Sequence, residues 1–221
     1  MNALLAGRRV VVSAGPTFED IDPVRFIGNR SSGRMGFAVA AAAAAAGAEV
    51  VLVAGPVHLD TPAGVERVDI RSAVQLRDAV LAALPADVYV GAAAVADWTP
   101  RDTAGHKLKK QPGVERMTLE LVRTPDVLAA VSAHRLRPRL VVGFAAETED
   151  LVANARAKLA AKRVDLVAAN RVGVPGSGFE AETNALTVVG EGFERALGPA
   201  PKAALADTLI ELIAERIAGR S

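Results

Sequence analysis

The sequence predicts an α/β fold: a Rossmann-like, mostly parallel sheet with helices on both faces. Three observations carry that prediction. Short β-branched runs such as Val10-Val-Val-Ser13 and Glu49-Val-Val-Leu-Val53 alternate with longer alanine- and leucine-rich stretches. The connections between them are short and marked by Gly-Pro pairs or capping residues. Asp87–Ala93 is apolar on both faces, as the middle of a parallel sheet requires.

The elements follow in order. Val10–Ser13 reads as a buried strand closed by the turn at Gly15-Pro16, and a long loop separates it from a helix over Met35–Ala46 that Gly47 ends. Glu49–Val53 and Val65–Ile70 are further strands, and Ser72 with Gln75 makes a capping box ahead of a helix reaching about Leu84. Trp98–Val114 lacks apolar periodicity, while Met117–Val122 alternates as a strand with one wet face. This stretch, about 98–123, is read as a flap and dimerisation insertion within a single domain covering 1–221. Thr124 as cap and Pro125 in the first turn predict a helix to about His134. Leu140–Ala145 is a strand, Thr148 caps a helix to about Lys162, and Val164–Ala168 is another strand. Asn170–Thr183 reads as a glycine-rich loop, Asn184–Val189 as the last strand and Lys202–Ile217 as an amphipathic helix.

Composition narrows the function. Of 221 residues 51% are hydrophobic but only 4% aromatic, so the core must be built mainly from Ala, Val and Leu. A net charge of +1 argues against a general nucleic-acid or membrane-surface binder. The chain has no cysteine, which excludes disulfides, thiolate nucleophiles and cysteine-ligated metals. The apolar run Gly36–Ala48 is shorter than the roughly 20 strongly apolar residues that span a bilayer. No signal peptide is visible at Met1–Ala6, so the expectation is a cytoplasmic protein without membrane or nucleic-acid partners.

Four stretches carry candidate chemistry. Asp22–Gly36 holds Arg25, Asn29, Arg30, Ser31, Ser32 and Gly33 between a strand end and a helix start, where backbone N–H groups suit an anion. Its Gly28-x4-Gly33-Arg34-Met35 has Walker A spacing without the lysine or the Ser/Thr, and no G-x-G-x-x-G follows the first strand. The competing reading is a structural loop with solvated arginines. Gly91-Ala92-Ala93-Ala-Val-Ala-Asp97 offers small residues at a strand end that let a ligand approach the backbone, and Asp97 as a ribose, amino-group or metal partner. Tight packing with Asp97 as a cap is the plain alternative. In His106-Lys-Leu-Lys-Lys110, Lys109 and Lys110 read as solvated, whereas Lys107 lies on a long loop fit for a lid. Gly143-Phe-Ala-Ala-Glu-Thr148 places Phe144 against a possible base and Glu147 near a helix start. Lys158 and Lys162 share a helix face and either reach a triphosphate or form a solvated pair.

No residue pattern supports nucleophilic catalysis. His58, His106 and His134 lack metal-ligand spacing, and Ser31-Ser32 have no partnered base. Catalysis is therefore expected to be electrostatic, through positioning of anions.

These motifs, in this order, resemble bacterial phosphopantothenoylcysteine synthetase, the C-terminal half of the bifunctional coenzyme A biosynthesis protein. The resemblance rests on Gly15-Pro-Thr17, Asp22-Pro-Val-Arg25, Asn29–Gly36, Ala93–Asp97, Lys107–Lys110, Thr124-Pro-Asp-Val127, Gly143–Thr148 and Asp165–Asn170, and spans nearly the whole chain. It implies a homodimeric ligase that activates 4′-phosphopantothenate with CTP as an acyl-cytidylate, which cysteine then converts to 4′-phosphopantothenoylcysteine. By resemblance Asn29, Arg25 and Lys107 serve catalysis. Gly91, Ala92, Ala93, Asp97, Lys107, Pro125, Asp126, Val127, Leu128, Phe144, Lys158 and Lys162 hold the nucleotide, and Asn29, Arg30, Ser31, Ser32 and Gly33 hold the acid substrate. Mg²⁺ is expected as the Mg–CTP complex with unknown protein ligands. No flavin is expected in this chain, although the resemblance implies a flavin-dependent decarboxylase domain fused to it in full-length proteins. Gly28, Arg34 and Trp98 depart from the serine, lysine and tyrosine or phenylalanine common in the family, and none carries an assigned catalytic role. Two other readings compete: an NAD(P)-dependent reductase, opposed by the missing glycine fingerprint and the strand-embedded Tyr89, and a non-catalytic nucleotide-binding domain.

Overall fold

The β-branched run Arg9–Ala14 forms β1 and leads into a hairpin of β2 (Phe18–Asp20) and β3 (Phe26–Gly28), followed by α1 (Arg34–Ala45). Then come β4 (Glu49–Ala54), β5 (Val65–Asp69), α2 (Ala73–Ala82), β6 (Val88–Gly91), β7 (Trp98–Pro100), β8 (Leu121–Arg123) and α3 (Val127–Ser132). The chain continues through β9 (Leu140–Glu147), α4 (Leu151–Lys162), β10 (Leu166–Arg171), β11 (Thr183–Gly190), β12 (Phe193–Pro201) and α5 (Lys202–Ala218). The computed structural model describes residues 3–110, 112–113, 115–173 and 182–219.

Eight strands make one sheet in the order β12-β11-β10-β9-β6-β1-β4-β5. Neighbours from β10 to β5 run parallel, while β10/β11 and β11/β12 are antiparallel. The parallel strands thus follow a 3-2-1-4-5-6 order when counted along the chain, the Rossmann arrangement. The direction of winding reverses between β1 and β6, so a crevice opens beyond their carboxyl ends.

Period-two alternation divides the core. Val10 and Val12 face α1 and α5 together with Leu52, Val90, Val142, Leu209 and Ile213. Val11 points the other way, among Val51, Leu76, Val131, Val141, Ala155 and Val167 beneath α2, α3 and α4. Alanine dominates α1 because that helix must approach β1 closely. A Cβ on Gly36 would stand 2.5 Å from the Ala14 Cβ.

Several expectations are corrected. Thr124 does not cap α3. Its hydroxyl donates to the Ala96 carbonyl at 2.6 Å, and Asp126 is the cap, accepting from the Ala129 N–H at 2.9 Å. Thr148 does not cap α4 either; Asp150 stands there in left-handed backbone without a side-chain bond. The strand expected at Met117–Val122 is only Leu121–Arg123, exposed throughout and paired with β7 in a two-stranded ribbon apart from the main sheet. Asn170 and Arg171 extend β10 instead of starting a loop, and the rest of that expected loop lies largely outside the described residues. Sequence reasoning missed the β2/β3 hairpin and β12. The capping box of α2 is present as expected, and Glu19 on β2 adds a second acceptor, taking the Ala73 N–H at 2.8 Å.

Candidate active site

Two adjoining clefts lie at the carboxyl ends of β1, β6 and β9. Pairing beyond β6 keeps Gly91–Asp97 against the end of β1: Ala92 N–H donates to Ser13 at 3.0 Å and Ala94 N–H to Gly15 at 2.9 Å. Thr17, fully buried, accepts from the Ala96 N–H at 3.0 Å. The small side chains of this stretch leave its backbone at the cleft wall.

The first cleft, about 310 Å³, is lined by Asn29, Ser31, Ser32 and Gly33 before α1, by Ala92–Val95 and Asp97, and by Phe144 and Lys158. Asn170, Asn184 and Lys202 close its far side. The Asn29 amide donates to the Val95 carbonyl at 2.9 Å, tying the loop to the strand extension. Gly33 has φ 74°, which favours glycine, and a Cβ there would also crowd Val57 at 3.1 Å.

The second cleft, about 510 Å³, is lined by Gly91, Ala93, Asp97, Trp98, Arg123, Pro125, Asp126, Val127, Leu128, Phe144, Lys158 and Lys162. Ser13 and Tyr89 form its floor, with hydroxyls 2.9 Å apart. Leu128 sits where glycine gives it room: a Cβ on Gly143 would meet it at 2.7 Å. The Lys158 ammonium donates to the Phe144 carbonyl at 2.7 Å, and burial lowers its pKa against the raising influence of Glu147. Lys162 is paired with Asp126. Burial acts to raise the Asp126 pKa, but the bonds from Lys162 and the Ala129 N–H outweigh it and the net shift is downward.

The clefts share a wall made of Ala93, Val95, Asp97, Phe144 and Lys158. A ligand with two halves fits such a pair, with its junction at that wall.

The model of the DNA/pantothenate metabolism flavoprotein C-terminal domain matches residues 5–217. The chain belongs to this family. The coenzyme A biosynthesis bifunctional protein CoaBC of Vibrio cholerae is 45% identical over 215 residues, 97% of this chain and 54% of that protein. The CoaBC protein of Bacillus subtilis is 50% identical over 189 residues, 85% of this chain and 46% of that protein. The chain spans about half the length of these relatives. Among solved structures, the C-terminal domain of a CoaBC protein aligns with a TM-score of 0.83 at 34% identity, covering 99% of this chain and 100% of that one. The Rossmann-like fold of the family is therefore the fold of this chain.

Family membership directs attention to residues that the clefts leave out. Arg25, Arg30 and Lys107 stand outside both linings. The Arg25 guanidinium grips the Asp22 carboxylate through Nε at 3.1 Å and a terminal nitrogen at 2.5 Å, and donates to the Leu108 carbonyl at 2.9 Å. Asp22 accepts in turn from the Leu108 N–H at 3.1 Å. This clamp fastens the lysine-bearing segment to the loop that precedes Asn29. Lys107 itself is exposed. The departure at Gly28 has a local reason: a Cβ there would lie 2.9 Å from the Phe18 ring, which stacks on Phe26 at 3.8 Å.

Asn184 and Lys202 are cleft residues that sequence reasoning did not flag. One signal for Lys202 was available: a lysine opening a helix is opposed by the helix dipole. No described helix is long and apolar enough to cross a membrane. Among the described residues no group of three or more His, Cys, Asp or Glu could hold a metal.

Proposed function

We propose that this chain is the ligase that joins 4′-phosphopantothenate to cysteine at the expense of CTP, in coenzyme A biosynthesis. The observation that carries the reading is the shared wall of the two clefts. A nucleotide in the second cleft and an acid in the first meet at Asp97, Phe144 and Lys158. The relatives' names place CoaBC proteins in coenzyme A biosynthesis.

The reaction needs no protein nucleophile. The substrate carboxylate attacks the α-phosphorus of CTP, and pyrophosphate leaves. The cysteine amine then attacks the acyl carbon, CMP leaves, and an amide remains. Lys158 and Lys162 take triphosphate charge, while the Gly91–Ala93 backbone reads the base edge. Pro125–Leu128 flank the nucleotide. Asn29, Ser31, Ser32 and Gly33 hold the acid, and Asn29 exchanges its bond to Val95 for one to the acyl-cytidylate. Lys107 needs the 101–110 segment to close, or a second copy to supply it, before it reaches a phosphate. Arg25 and Arg30 serve the same loop, Arg25 through its clamp. Mg²⁺ would come with the nucleotide and offset triphosphate charge alongside Lys158 and Lys162.

The exposed apolar side chains of Trp98, Met117, Leu121 and Val122 mark the surface for a homodimer. In a full-length protein we expect a fused flavin-dependent decarboxylase domain as partner, with the reaction in the cytoplasm. Against the nicotinamide-reductase reading stands Tyr89, which is 1% exposed and whose pKa burial pushes up to about 12.

The test is pyrophosphate release with CTP or ATP in the presence of 4′-phosphopantothenate. The expected result is Mg²⁺-dependent release with CTP, and CMP only after cysteine is added. Asn29→Asp is expected to release pyrophosphate yet stall before the amide. Nucleotide binding without pyrophosphate release would instead favour the non-catalytic domain.

A further inference from the structure

The second cleft has a floor that the proposed reaction leaves unused. Strand register places Tyr89 opposite Val11 and Gly91 opposite Ser13. The Tyr89 hydroxyl nevertheless lies 2.9 Å from the Ser13 hydroxyl, two residues farther along β1. The phenol ring therefore runs along the sheet toward the carboxyl ends of β1 and β6, where the cleft opens. Gly91 leaves the hydroxyl uncovered at that end: a Cβ there would stand 3.3 Å from the phenol oxygen and 3.4 Å from Leu128. Both hydroxyl-bearing residues line the cleft although each is only 1% exposed.

Two hydroxyls carry two protons, and the bond between them uses one. Among the described residues neither side chain has another hydrogen-bond partner, so one O–H is left for a ligand or a water. Leaving a buried O–H without an acceptor is unfavourable. Burial pushes the Tyr89 pKa up to about 12 against the Ser13 bond, and the Asp126 carboxylate adds to the push, so the phenol keeps its proton at neutral pH. Val127 and Leu128 supply apolar lining, while Lys158 is bonded to the Phe144 carbonyl and Lys162 to Asp126, so neither cation is bonded at the floor. A neutral hydroxyl among apolar side chains suits a flat ring with acceptor atoms at its edge better than it suits a phosphate. Cytosine carries such acceptors, O2 and N3, side by side.

We propose that Tyr89 is a specificity-determining residue of the nucleotide cleft, donating its O–H to the acceptor edge of the cytosine ring while accepting from Ser13. This assignment rests on the ligase reading and adds to it a side-chain contact beyond the Gly91–Ala93 backbone. The ring enters first, and the triphosphate extends toward Lys158 and Lys162. Donation from Ser13 polarises the phenol and strengthens its bond to the ring. Tyr89 moves no proton and breaks no bond; it seats the base.

The test compares wild type, Tyr89→Phe, Ser13→Ala and the double variant with CTP and with ribose 5-triphosphate, which keeps the sugar and phosphates but lacks the base. Calorimetric binding and steady-state kinetics are both recorded, with thermal melting as a check on folding. Tyr89→Phe is expected to weaken CTP binding and raise its KM by about three- to tenfold, the scale of one lost neutral hydrogen bond. Ribose 5-triphosphate binding and the KM for 4′-phosphopantothenate should stay within about twofold. Ser13→Ala should cost less, and its effect should vanish in the Tyr89→Phe background. Equal losses for CTP and ribose 5-triphosphate, or a shifted melting temperature with unchanged CTP binding, would overturn the assignment. Should Tyr89→Phe fail to fold because Ser13 loses its partner, the double variant carries the same comparison, and wild-type CTP affinity there overturns it. A wild type that binds CTP without releasing pyrophosphate refutes the ligase reading alone, because the binding comparison still decides on Tyr89. A wild type that binds CTP no more tightly than ribose 5-triphosphate refutes the Tyr89 assignment.

Discussion

Lys158, on α4, donates at 2.7 Å to the carbonyl of Phe144 within β9, and so holds its ammonium in the wall shared by both clefts. Strand and helix are consecutive elements of one β-α-β unit, and the bond fixes how far the lysine projects. Its proton affinity is lowered by burial, so an incoming triphosphate is expected to restore it.

That restoration is measurable as proton uptake. CTP binding should take up protons increasingly as pH rises toward the ordinary lysine value of 10.5, because only the free site is then partly neutral. Calorimetry in two buffers of different ionisation enthalpy reads the uptake directly. Lys158→Arg, which stays charged, should abolish it. Equal uptake in that variant would assign the proton elsewhere.

Asp126 serves two partners, the Ala129 N–H and Lys162. Asp126→Asn keeps a capping oxygen and should leave stability nearly unchanged while releasing Lys162. Asp126→Ala removes the cap as well and should cost about 1 kcal/mol in urea denaturation. Both variants should lower the KM for CTP if Lys162 takes a phosphate. An unchanged KM would leave Lys162 a structural partner of α3.

Gly36 tests the packing of α1 on β1. Helix propensity favours alanine there by about 0.5–1 kcal/mol. The added Cβ, however, would stand 2.5 Å from that of Ala14, and overpacking costs about 1–3 kcal/mol. The clash should win, so Gly36→Ala is expected to lower the melting temperature. A higher melting temperature would show that α1 can move off the sheet.

Asp22 predicts a pH dependence. The Arg25 hydrogen bond leads in holding its pKa well below the usual carboxylate range, and N–H groups of Val24, Leu108 and Arg25 assist. A depressed folded pKa gives stability that is present above the unfolded value of about 3.9 and is lost as pH falls below it. Wild type should therefore exceed Asp22→Asn in stability at pH 7, with the gap closing below about pH 4. A gap constant with pH would mean that the clamp acts through shape alone. Limited proteolysis at Lys107–Lys110 should quicken in Asp22→Asn, since both Leu108 bonds to the clamp weaken.

The central strands of the parallel sheet were legible because they are short apolar runs buried on both faces, as Arg9–Ala14 and Glu49–Ala54 show. The α2 capping box was legible because its partners lie three residues apart. Thr124 misled for the opposite reason: it is a good local cap whose hydroxyl has a better acceptor, Ala96, across the fold. β12 was missed because an edge strand is buried on few of its positions, and Phe193–Pro201 carries two prolines and a glycine.

The sequence by itself determined the alternation of elements, the family motifs and the loop around Asn29. Only the tertiary structure decided which of those motifs share a cavity. Asn29 and Lys158 are far apart in the chain, and a strand order that reverses between β1 and β6 brings both to one cleft. It also turned Arg25 into a clamp on Leu108 and brought Lys202, from the last helix, beside Arg34 in the first. Local pattern specifies which face a side chain takes. Long-range pairing specifies what that side chain meets.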